Sequence, residues 1–162
     1  MVPIDTAVLE LSSLASQLNK ETDSLNDIIL DLERRLGSTK VGVSIWLDNS
    51  LLAETGDGFK QNAWVLGYAK IGDSWRIATK PITRTWERTE EMDHGDLTDF
   101  TKDRGEPVPL LNAPRAVRVD ASAFLEQLVN ELATKVKGFI ANIEQAKKFV
   151  GTRPIKGNSG NS

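Results

Sequence analysis

Apolar residues recur at helical spacing near both ends of the chain and alternate as in a strand between them. Residues 5–36 predict a helix. Leu11, Leu18, Leu25 and Leu32 fall seven apart, and with these at d positions Val8, Ala15, Thr22, Ile29 and Leu36 occupy a. Leu14 and Ile28 widen the stripe, as in a helix that also packs on a core. Asp5, just after Pro3, is a candidate N-cap, and Gly37 behind Arg34 and Arg35 is a candidate stop. Residues 19–24 are polar all round and include Asp23 and Ser24, either of which caps helices well. A break there is the alternative to one continuous helix.

Residues 40–86 predict a β-meander. Val41, Val43, Ile45 and Leu47 alternate onto one face, and Gly56-Asp57-Gly58 signals a turn. Residues 62–71 and 75–80 flank Gly72-Asp73-Ser74 as a hairpin, with Pro81 ending the ladder or marking an edge. Extended chain continues to Trp86. Residues 87–113 read as a long acidic loop, with one helical turn near Leu97, and residues 116–119 as a short strand. Asp120 is placed to cap a final helix over 121–150. Val129, Val136, Ile143 and Val150 form one row of that helix, and Leu125, Leu132, Phe139 and Ala146 the next. Gly151 and Pro154 stop it, and residues 152–162 make a tail that is flexible by composition.

The expected fold is therefore α+β. A small antiparallel sheet of three or four strands is flanked by long N- and C-terminal helices, all within one domain over residues 1–151. The length of 162 residues and a hydrophobic content of 40% suit one such core. A helix of thirty residues spans roughly 45 Å, whereas a strand of nine or ten spans roughly 30 Å. Each helix should overhang the sheet and leave part of its apolar stripe seeking a partner, which is either the other terminal helix of the same chain or a second chain.

Charge and composition narrow the chemistry. A formal net charge of -3 argues against bulk attraction to nucleic acid or to anionic membranes. No cysteine is present, so thiolate chemistry and disulfides are excluded. This suits a reducing compartment, and with no basic leader and no run of ~18 apolar residues the expectation is a cytoplasmic protein outside the membrane. His94 is the single histidine. It lies in Asp93-His94-Gly95-Asp96, whose spacing does not match an EF-hand loop; a solvated loop accounts for these residues, and no cofactor or metal is expected. Phosphate-binding, dinucleotide-binding and serine-nucleophile motifs are all missing, so the chain does not read as an enzyme.

Two functional expectations remain. The first is a non-catalytic protein-interaction module of adaptor or regulator type. It would form homo-oligomers or bind another protein through Leu18, Leu25, Leu125, Val129, Leu132, Val136, Phe139 and Ile143. The second is a binding protein for a small anionic, nucleotide-like ligand or single-stranded nucleic acid. Even-numbered positions of the hairpin (Trp64, Tyr68, Arg76, Lys80, Arg84 and Trp86) would then share an aromatic and cationic face, opposite an odd face of Val41, Val43, Ile45, Val65, Ile71 and Ile77 packed on the helices.

Overall fold

The computed structural model describes residues 3–88 and 97–152. Helix α1 runs from Ile4 to Thr39 without a break. The polar stretch at 19–24 is helical throughout, and two of its side chains, with one just beyond it, find partners. The Thr22 hydroxyl donates to the Leu18 carbonyl at 2.7 Å, and Asn19 and Asn26 each accept from an arginine of a later helix, Arg115 and Arg118, at 2.7 Å. Asp5 does not cap α1; Pro3 takes that position with no side-chain hydrogen bond. The C-terminal end passes Gly37 and closes at Lys40, which adopts a left-handed φ of 51° and donates its amide to the Gly37 carbonyl.

Four strands follow in chain order across an antiparallel sheet: β1 (Ile45–Gly56), β2 (Lys60–Ile71), β3 (Ser74–Arg88) and β4 (Leu97–Asp103). A two-residue β5 (Val108–Pro109) pairs with β3 beside β4. The first turn is held by Asp57, whose Oδ1 accepts the amides of Phe59 and Lys60 at 3.1 Å each. These two bonds, with the nearby Lys60 charge, hold the exposed carboxyl below its usual range. The second turn is the expected hairpin, closing Ile71 against Ser74 over Gly72, which has a φ of 60°.

Pro81 lies inside β3. Its carbonyl accepts from Arg104, so its nitrogen points to the same outer side, where β5 pairing has ended at Thr79 and β4 pairing begins at Ile82. The missing N–H therefore costs the ladder nothing. Part of the expected acidic loop is strand instead: β4 pairs with β3 from Ile82 to Arg88. Thr98, Phe100 and Thr101 favour extended chain, and the neighbouring acids obscure that preference.

The segment expected as a strand at 116–119 is helical. Helix α2 (Arg115–Ser122) follows Pro114, whose φ of −54° suits a helix start, and buries Val117 and Ala121 one turn apart. A short break at Ala123 and Phe124 separates it from α3 (Leu125–Thr152), so the final helix begins four residues later than expected and Asp120 does not cap it. Instead the Asp120 carboxylate accepts the Ala53 amide at 2.7 Å and holds a bulge where Ala53 takes a φ of 47°.

The main core lies between one face of the sheet and the helices. Ile29 and Leu36 of α1, Leu47 and Leu52 of β1, Leu66 and Tyr68 of β2, Ile77 of β3, Val117 of α2 and Leu128 of α3 all meet there. Val41, Val43 and Ile45 pack against it as expected, although only Ile45 is in a strand. Among the described residues no helix is long and apolar enough to cross a membrane.

Candidate functional site

The hairpin residues do not form one face, and the reason is register. A two-residue turn pairs Tyr68 with Ile77 and Val65 with Lys80. Partners in an antiparallel ladder share a face, so even positions of β2 lie with odd positions of β3. Trp64 and Tyr68 consequently face the helices. Tyr68 is 1% exposed and stacks on Trp75 at 5.6 Å, and Trp64 packs against the same core. Val65, expected on the helix side, joins Ala63 and Ile82 in a small cluster on the opposite face.

The four cationic and indole positions of β3 do not gather into one patch. The Arg76 Nε lies 2.6 Å from Glu33 Oε1 of α1, and the other Glu33 oxygen accepts the Ile77 amide at 3.1 Å. The Lys80 ammonium sits 4.5 Å from the Trp46 ring centroid and 3.5 Å from Asp103. Arg84 lies over Trp86 at 5.9 Å. What survives of the expected patch is thus a pair of cation–aromatic contacts on the face away from the helices. Trp46 is an even position of the first alternating segment and is expected on this face, whereas Glu33 and Asp103 carry no motif that singles them out in the sequence. Gly67 belongs with them: a Cβ there would lie 2.3 Å from the Trp46 ring, so the indole rests directly on the β2 backbone.

Tyr68 offers a direct check on this burial, since it is the chain's single tyrosine. Desolvation, reinforced by the Glu33 charge, raises its phenol above the ordinary value of 10.0. The folded state then holds the proton more tightly than the unfolded chain. The stability that Tyr68 contributes should be level below pH 10.0 and fall as pH rises through the raised value. Tyrosinate absorbance should appear together with loss of structure, and Tyr68→Phe should remove this alkaline decline.

The largest uncovered apolar features are two helical arms. The C-terminal half of α1 packs through Thr22, Leu25, Ile29, Leu32 and Leu36, and the N-terminal end of α3 through Leu125, Leu128, Val129 and Leu132. Asn19 still meets Arg115 of α2, and Lys135 still donates to the Ser44 carbonyl; outward of these contacts both helices run clear of the body. Every residue of 4–21 is exposed, including Leu11 at 65% and Leu18 at 45%. On α3, Val136 is half-buried, while Phe139 and Ile143 are 46% and 56% exposed. The eight heptad positions named from the sequence therefore divide. Leu25, Leu125, Val129 and Leu132 belong to the subunit's own core, Leu18 and Val136 are transitional, and Phe139 and Ile143 stand out in solvent.

The arms leave the body from different places. Leu18, Leu25 and Ile28 flank Val119 and Ser122 of α2. Helix α3 instead passes the other end of α1, across a groove of about 350 Å3 lined by Leu36, Thr39, Val41, Val129, Leu132 and Val136. Residues 22 and 36 are roughly 20 Å apart along the α1 axis. An intrachain zipper between the arms is therefore absent among the described residues.

The acidic stretch around His94 lies outside the described residues. Among the described residues, no group of three or more His, Cys, Asp or Glu side chains is placed to hold a metal ion. Compared with protein-family models, with curated proteins and with solved structures, the chain matches none.

Proposed function

We propose that this chain is a non-catalytic protein-interaction module of adaptor or regulator type that self-associates through its helical arms. The observation that supports the reading is the exposure of both arm seams. Helices of this length are marginal in water unless an apolar face is packed. Each large apolar side chain left wet forgoes roughly 1.5–3 kcal/mol. A row of leucines carried beyond the body on α1, and a Phe/Ile/Val row on α3, are what an assembly would cover.

Sedimentation at micromolar concentration tests this directly. The native chain should sediment as an oligomer, and a monomer would dismiss the reading. Leu11→Asp with Leu18→Asp should abolish association while leaving the subunit folded, because neither side chain belongs to its core. Losing two packed leucines should weaken the assembly by roughly 100-fold or more.

A further inference from the structure

Resting on that reading, we infer that the occupant of each arm is the unlike arm of a second copy: α1 of one subunit lies antiparallel along α3 of its partner, twice over, in a two-fold dimer. Three observations lead there. The first is charge. The α1 arm carries Asp5, Glu10 and Glu21 against Lys20, whereas the α3 arm carries Lys137, Lys147 and Lys148 against Glu144. Pairing like arms would set net acidic against net acidic or basic against basic, and unlike arms cancel. Flanking charge is what selects partners in helical zippers.

The second is length. Residues 4–21 span about 27 Å and residues 137–152 about 24 Å, so each arm matches the other from root to tip. The third is the seam. With Leu11 set opposite Ile143 in antiparallel register, Ile4 faces Val150, Val8 faces Ala146, Ala15 faces Phe139 and Leu18 faces Val136. Ala146 and Ala15 oppose the larger Val8 and Phe139, the other three pairs set branched aliphatic side chains together, and Asp5 comes beside Lys147. The roots of the two arms are separated within one subunit, which blocks the pairing in cis. In a two-fold dimer each α1 arm takes the other copy's α3 arm, so both pairs form by one operation.

The chain contains no cysteine, so engineered thiols report pairing without background. Leu11→Cys and Ile143→Cys are prepared separately, mixed, allowed to exchange subunits and oxidised. The mixture should give a covalent band at twice the chain mass, and neither variant alone should. In a chain that sediments as a dimer, covalent dimers from Leu11→Cys alone or Ile143→Cys alone would overturn the unlike pairing, as would their absence from the mixture; self-association would still stand. Only monomers of the native chain would remove both claims together. Lys147→Glu should weaken the dimer severalfold, and Asp5→Lys in the same chain should restore it. Equal effects with and without the second change would also count against the register.

Discussion

Glu33→Ala is expected to lower folding stability by about 3 kcal/mol, the low end of the cost of breaking a buried ion pair because Arg76 keeps some contact with water. Glu33 lies on the packed side of α1, one turn from Ile29, and is 8% exposed. Its carboxylate serves two elements at once. One oxygen meets Arg76, and the other accepts the Ile77 amide at a point on β3 where β5 has not yet begun to pair. Alanine would leave a partly buried guanidinium without its counter-charge and a buried N–H without an acceptor. Stabilities of domains this size are commonly about 5–15 kcal/mol, so urea denaturation would show a large shift in midpoint at nearly constant slope. Glu33→Gln keeps an acceptor and should fall between. An unchanged midpoint for the alanine variant would mean that α1 is seated on the sheet by apolar packing alone.

Gly67→Ala should be comparably damaging, by about 3 kcal/mol, the upper end of typical overpacking costs. The added methyl would stand 2.3 Å from Trp46 Cε3 and 2.6 Å from the Ile45 carbonyl oxygen. The indole can swing away, at the expense of its contact with Lys80, but the carbonyl belongs to the β1–β2 ladder. Trp46→Ala in the same chain separates these contributions. The double variant should be less destabilised than the sum of the two singles, because the ring part of the clash disappears. Strict additivity would show that the methyl never meets the ring.

The long-range outline of this fold is legible in its residues because it rests on local signals. The heptad rows specify two helices, and the turns at Asp57 and at Gly72-Asp73 are written in residues that tolerate those backbone angles. What is not legible depends on register. Sharing parity between β2 and β3 makes Tyr68 look like a neighbour of Arg76 and Lys80, whereas the hairpin turns it into the core opposite Ile77. The alternation at 116–119 is compatible with either a strand or a turn of helix, and burial of Val117 and Ala121 decides it. Asp120 has the chemistry of a cap, and only the fold reveals that its partner is Ala53, 67 residues away. The arms pose the same difficulty from the other side. The spacing is identical along all of α1, so nothing in the pattern marks where the body stops covering it.

Because the four main strands lie in the sheet in the order in which they occur along the chain, each pairs with the one before it in the sequence. Such neighbour-to-neighbour closure keeps contact order low and favours fast folding. The meander can zip from its hairpin outward, yet its apolar side stays open until α2 and the first turns of α3 arrive to meet α1. During synthesis the late elements are therefore the ones that seal the protein, and a released chain ending before residue 125 would hold every strand of the sheet with an unfinished roof.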